Sequence, residues 1–409
     1  MTTHRRTFLK KLGMTAAAGV VLPSLVMCNT KTGEKELDAK KGMKKAVLPE
    51  NDALKTYSKE AVQLVRDATC IDMLGGYGDW VHQRNGMSLT ELWESVPNSF
   101  TEKDYEFVKS CGINVFGWGD MRPSYEEMLL FMAAQNGIIA SNPKYFERID
   151  TKEKLKNINI SEKIGMLITN QDSKHFKTLD DVNLFYGLGQ RVSQLTYNDK
   201  NRIGCGAFED VDSGITAYGK QVVERMNQVG MGVDVSHCGD NTTLGGIEAS
   251  SKPVLITHGA CRTIAKGVAR AKTDEAIKAM AKTGGVIGMP ILRFMISEKE
   301  PVSFDDFLNH IDHVAQLVGV EYVGIGSDQS LYTEDYIPLE QRKARLENAP
   351  AKYQTHTNKD YLLTIDKLNH PHRTYDIAEG LLKKGYKDEH IKMVLGDNFK
   401  RVLTQIFRH

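Results

Sequence analysis

Two histidines stand at the ends of two short apolar runs, Gly232-Val233-Asp234-Val235-Ser236-His237 and Pro253-Val254-Leu255-Ile256-Thr257-His258. They are 21 residues apart, about one strand–helix–strand repeat. Neutral imidazoles that converge are the donors a divalent transition metal takes. Each alone also reads as a hydrogen-bonded polar residue at a strand end. Matched positions on successive parallel strands would bring both to one edge of a sheet. Asp328, after Gly326-Ser327, adds a carboxylate that could be a metal ligand and could deprotonate a metal-bound water. Its structural alternative is a turn residue. Arg270 lies in the loop after the second histidine, ahead of Thr273, which reads as a helix N-cap. A guanidinium there can hold a substrate carboxylate bidentately. Cys238 and Cys261 read as small buried thiols, and His370, His372 and His390 as surface or packing residues.

The elements that must position these groups alternate along the chain. β-branched and apolar runs near 69–73, 113–118, 164–168, 191–198, 232–237, 253–258, 284–289 and 322–328 read as eight strands. Helical spacing follows most of them, as at 124–139, 218–228 and 304–318. The last helical stretches are 377–384 and 388–407, and residues 74–100 read as an irregular insertion containing Trp80. This alternation predicts an α/β fold, a (β/α)8 TIM-type barrel in one domain over residues 54–409. An open doubly wound sheet is the alternative. Its usual glycine-rich phosphate turn is missing, and the polar residues of interest are spread over several strand ends. Those ends are Asp72, Gly119, Gln171, Tyr197-Asn198, His237, His258, Pro290 and Asp328. In a barrel they share one mouth, where catalytic groups sit.

Bulk composition narrows the partners. Among 409 residues, Lys plus Arg number 53 and Asp plus Glu 52, so no basic excess favours nucleic acid. No run of about 20 apolar residues follows the N-terminus, so the body is not expected to span a membrane. The six cysteines form no C-x-x-C pair, and no disulfide can be assigned from sequence. His4-Arg5-Arg6-Thr7-Phe8-Leu9-Lys10 and the apolar stretch after it resemble a twin-arginine export signal over residues 1–28. Cys28 stands where a lipoprotein would be acylated, although Met27 is larger than the small residue usual there. Periplasm and lipid-anchored lipoprotein are therefore both open destinations. Residues 29–53 read as a solvated tether.

From Arg191 to Leu403 the chain resembles the membrane (renal) dipeptidase family of amidohydrolase-like barrels. The resemblance rests on Gly214-Ile215-Thr216-Ala217-Tyr218-Gly219, on the two histidine runs, on Val323-Gly324-Ile325-Gly326-Ser327-Asp328, and on Gly396-Asp397-Asn398-Phe399. It implies a (β/α)8 metallohydrolase cleaving dipeptides at a two-zinc centre. His237 and His258 match the family's paired histidine ligands. Asp328 matches its metal-binding aspartate and proton shuttle, and Arg270 its carboxylate-binding arginine. Three places depart from the pattern. Leu74 and Gly76 stand where the family has a His-x-Asp pair. Gln171 stands at the bridging glutamate, with Asn170 or Asp172 there if the register shifts by one. Thr196-Tyr197-Asn198 replaces a Thr-His-Asn context that contacts substrate.

A neutral amide bridges two cations poorly, so a two-ion centre is not expected. The expectation is one zinc ion or none, held by His237 and His258 with Asp328 or Gln171 assisting, and Tyr197 and Asn198 beside the substrate. The expected activity is hydrolysis of a small peptide or amide with a free carboxylate. The alternatives are a silent periplasmic binding or maturation protein, and a lyase or isomerase of altered chemistry. A homodimer is an open expectation.

Overall fold

The computed structural model describes residues 52–78, 83–119, 124–348 and 360–408. The chain divides into two units, Met1–Val47 and Leu48–His409. The first unit, with the twin-arginine segment and Cys28, lies outside the described residues, as do most of the 29–53 stretch and Trp80.

In the second unit eight parallel strands close into a ring. They are β1 (Ile71–Asp72), β2 (Val115–Trp118), β3 (Ile164–Asn170), β4 (Val192–Gln194), β5 (Gly232–Asp234), β6 (Leu255–Ile256), β7 (Val286–Met289) and β8 (Val323–Ile325). Each pairs with its neighbours in chain order, and β1 pairs with β8 to close the barrel. This is the α/β barrel that strand and helix alternation predicts. A ninth strand, Phe146–Arg148, extends the sheet outside β3 and was not legible in the sequence. Every residue of β3 is buried, as a parallel strand covered on both faces requires.

The helices begin at polar caps. Ser124, Thr151, Thr216, Thr273 and Ser303 each accept a first-turn backbone N–H through their side chains. Thr273 is thus the N-cap its sequence position suggests, heading helix Asp274–Lys282. The 388–407 stretch is not one helix. It breaks between Asp388–Lys392 and Asn398–Ile406 at a bulged turn, where a Cβ on Gly396 would come within 2.1 Å of Thr69 O. The 191–198 run is a strand only over Val192–Gln194, so Tyr197 and Asn198 lie beyond its end. The 74–100 insertion holds Gly75–Gly76, which pairs with Gln329–Ser330, the antiparallel pair Gln83–Arg84 and Met87–Ser88, and helix Leu89–Ser95.

The mouth end of β8 is tightly packed. A Cβ at Gly326 would stand 1.8 Å from Thr257 O. Gly326→Ala should therefore cost about 1–3 kcal/mol, the range for overpacking. Urea unfolding would show this as a lower midpoint at unchanged slope, and a midpoint equal to wild type would refute the packing argument.

Candidate active site

Asp234, at the end of β5, organises the mouth. Its buried carboxylate accepts the backbone N–H groups of Ser236 (3.0 Å) and Thr257 (3.1 Å) and the Thr257 hydroxyl (2.6 Å). It also accepts the Ser236 hydroxyl (2.5 Å). Burial pushes its pKa up, against these four hydrogen bonds. The bonds tie the turn after β5 to the turn after β6, and both turns carry a histidine. His258 N–H donates to Ser236 Oγ (3.2 Å), and His258 Nδ1 lies 3.0 Å from Thr257 Oγ1.

The two imidazoles meet as expected from their matched strand positions. His237 Nε2 is 3.0 Å from His258 Nε2. His237 Nδ1 donates to Asn198 Oδ1 (2.7 Å), and His258 Nδ1 donates to Thr257 Oγ1, whose own proton goes to Asp234, so both facing Nε2 atoms carry lone pairs. Gln194 Oε1 holds the His237 backbone N–H (3.2 Å), and the Tyr197 ring stacks on the imidazole at 4.1 Å. Burial, then Arg270, His258 and Lys272, hold His237 well below the usual imidazole pKa. Burial, Arg270 and Lys272 do the same to His258, so both rings are neutral.

Arg270 is also buried at the mouth and is poorly satisfied. Its guanidinium reaches His258 O at 3.4 Å and Met295 Sδ at 3.9 Å, and Nε has no partner. Asp328 is held at a left-handed φ of 57°. Burial pushes its pKa up to about 7, opposed by Arg270 and reinforced by Asp72. Two cavities meet at Asp328. One, of about 210 Å³, is lined by Tyr197, Arg270, Leu292, Phe294 and Asp328 among others. The other, of about 480 Å³, includes Leu74, Gly76, Trp118, Gln171 and Asp328 in its wall. Gln171 is thus the mouth residue of its segment. Asn170 instead hydrogen-bonds Asp172 O and His175, and Asp172 is fully buried against Asn201 and Lys174.

As a metal site this set is incomplete. Catalytic zinc takes three protein ligands and leaves a fourth position open. Among the described residues no group of three or more His, Cys, Asp or Glu side chains is arranged to hold an ion. The two imidazoles present their Nε2 atoms 3.0 Å apart as two donors, fewer than the three a catalytic zinc takes, and the charges acting on both are the cations Arg270 and Lys272. Leu74 and Gly76 offer no side-chain donor. A Cβ on Gly76 would meet the Trp118 ring at 2.7 Å, so the indole fills the space a side chain there would need. Among the described residues, His237, His258, Asp328 and Gln171 are not gathered into a group of three or more His, Cys, Asp or Glu side chains.

Sequence reading missed Asp234 and Lys272. The spacing Asp234-x-x-His237 followed by Thr257-His258 was the available clue to the first. Lys272 is buried, and its ammonium donates to Val235 O (2.7 Å), Cys238 O (2.8 Å) and Thr243 Oγ1 (3.1 Å), bracketing His237. Burial lowers its pKa from 10.5 to about 8. Lys272→Met should leave two carbonyls unsatisfied and cost roughly 1–3 kcal/mol at pH 7. The folded state penalises the charged lysine, fully below about pH 8, and that penalty fades as pH rises toward 10.5. Wild type should therefore gain stability relative to the variant between those values. Denaturant midpoints across that window test the sign, and a gap that shrinks with pH would contradict it.

Comparison with known proteins places these observations in a family. The profile of the membrane dipeptidases (peptidase family M19) matches residues 101–334. Dipeptidase 3 of Rattus norvegicus is 28% identical over 176 residues, covering 41% of this chain and 36% of the relative. Dipeptidase 3 of Homo sapiens is 24% identical over 191 residues, covering 45% and 39%. The chain thus spans little more than a third of the length of these curated relatives. An amidohydrolase from Pseudomonas aeruginosa superposes with a TM-score of 0.69 at 23% identity, covering 85% of this chain and 99% of that one. A metallo peptidase from Rhodobacter sphaeroides, liganded with a phosphinate mimic of the dipeptide L-Ala-D-Ala, gives 0.64 at 14%, covering 83% and 99%. At these identities the structural likeness establishes the barrel fold.

Proposed function

The chain belongs to the membrane dipeptidase family, and on that premise we propose that it is an exported hydrolase of the dipeptidase type. Its substrate is a small peptide or amide with a free carboxylate. The observation that carries this reading is Arg270, a buried guanidinium with an unpartnered Nε at a cavity that also contains Asp328. Such a group is costly to bury and is satisfied by an anion.

A bound divalent ion would supply an activated water in such an enzyme, but among the described residues no group of three or more ligand side chains is assembled to hold one. The roles fall to the chain's own residues. Arg270 binds the carboxylate, and Tyr197 walls the smaller cavity beside it. Asp328 takes a proton from the attacking water as the C–O bond forms, then passes it to the leaving amine as the C–N bond breaks. Export by the twin-arginine route rests on residues 5–27 and belongs to the same proposal.

A second reading is favoured by the ligand set, since among the described residues no group of three or more His, Cys, Asp or Glu side chains is arranged to hold an ion. In it the chain is a periplasmic binding protein that keeps the pocket without turnover.

A panel of dipeptides and their C-terminal amides separates the two. Hydrolysis of the free acids, lost in Asp328→Asn, supports the enzyme. Saturable binding without cleavage, in protein matured in its own host and with its metal content measured, supports the binding protein. In either case Arg270→Met should weaken acids by about 10- to 100-fold and leave amides nearly unchanged. Equal loss for acids and amides would remove Arg270 from the carboxylate site.

A further inference from the structure

The two cavities differ in size, share Asp328, Gln329 and Arg345 in their walls, and both carry apolar lining, Leu292, Phe294, Leu346 and Leu363 in the smaller. The smaller, at about 210 Å³, contains Arg270. It lies below the roughly 300–1,000 Å³ typical of small-molecule sites, while the larger, at about 480 Å³, lies within that range. Leu74, Trp118, Phe131, Tyr332 and Ile337 give the larger cavity an apolar and aromatic wall. Its charged residues Glu334 and Arg345 are ion-paired with each other, and Arg345 Nε has no partner. Glu334 binds Arg345 through one oxygen and the backbone N–H groups of Leu363 (2.9 Å) and Thr364 (2.7 Å) through the other.

Trp118 is rigidly held. Its ring packs at 5.0 Å from that of Tyr77 and lies over Gly76. The floor beside it cannot carry side chains, because a Cβ on Gly117 would stand 2.1 Å from Met73 O. Gly76 and Gly117 thus leave the space beside the indole open.

We infer that the larger cavity is the subsite for the amino-terminal residue of the substrate and takes a bulky apolar or aromatic side chain, while the Arg270 cavity admits only a small carboxyl-terminal residue. This rests on the proposed binding of a free carboxylate by Arg270. With the carboxylate there and the peptide bond over Asp328, where the cavities meet, the remaining residue extends into the larger recess. A neutral aromatic side chain suits a wall of indole, phenyl and phenol rings in which Glu334 and Arg345 are ion-paired with each other. The chain would then be selective for peptides of the order large–small over small–large.

The test is calorimetric titration of the full-length Asp328→Asn protein with Phe-Gly, Gly-Phe, Gly-Gly and Phe-Gly amide. Phe-Gly should bind on the order of tenfold or more tighter than Gly-Phe. Leu74→Trp, which fills the recess, should narrow the ratio of Phe-Gly to Gly-Gly affinity. Should that variant not fold, Tyr332→Ala removes one ring of the wall and should narrow the same ratio. Equal affinity for Phe-Gly and Gly-Phe, or preference for Gly-Phe, overturns the subsite assignment. If Arg270→Met still weakens both peptides, the carboxylate site survives that failure. If Phe-Gly and its amide bind alike while the large–small preference persists, the carboxylate reading fails and the recess stands. Binding by none of the four overturns both.

Discussion

The mouth of this barrel depends on one buried carboxylate. Asp234 ends β5 and accepts four hydrogen bonds, two of them from the Thr257 segment at the end of β6. Adjacent parallel strands already run in register. What the carboxylate adds is a fixed relation between the turns beyond them, where backbone pairing has stopped. A buried charge is tolerated only when its acceptor capacity is used, so the two turns cannot separate without exposing an unpaired anion. The imidazole contact at 3.0 Å follows from that constraint. Lys272 braces the β5 turn from another side, by filling the carbonyls that flank His237.

The residues that depart from the family pattern form a connected change. Gly76 lacks a side chain, and the Trp118 indole lies where one would project. Leu74 and Gln171 line the same recess. In this half of the mouth the positions of the family's ligands hold apolar and neutral residues. The other half keeps its imidazoles, Arg270 and Asp328, with positive charge acting on both histidines. A divalent ion needs compensating negative charge. Asp234 is close in chain terms, but its lone pairs are already engaged in hydrogen bonds that hold the backbone.

Much of the fold was legible because its physics is local. Short β-branched runs, polar caps such as Thr273 and Ser303, and helical spacing after most strands each reflect a preference acting over a few residues. The misses are equally physical. The strand Phe146–Arg148 exists by pairing with β3, a long-range contact. The break at Gly396 is imposed by the close approach of Thr69 O, which the 388–407 periodicity does not register. Tyr197 and Asn198 looked like the end of an alternating strand. They lie beyond it, free to wrap over His237 as a stacked ring and an amide acceptor.

The sequence by itself determined the barrel, the pairing of His237 with His258 at one mouth, and the absence of donor side chains at Leu74 and Gly76. Composition, period and residue type decide these, and folding cannot add a ligand atom the chain does not encode. Tertiary structure alone decided what the remaining groups do. It turned the facing nitrogens of the histidines onto each other, left the Nε of Arg270 without a partner, and set Asp328 where two unequal cavities meet. Those outcomes depend on distances and burial between residues far apart in the chain, and burial sets the protonation state of each group.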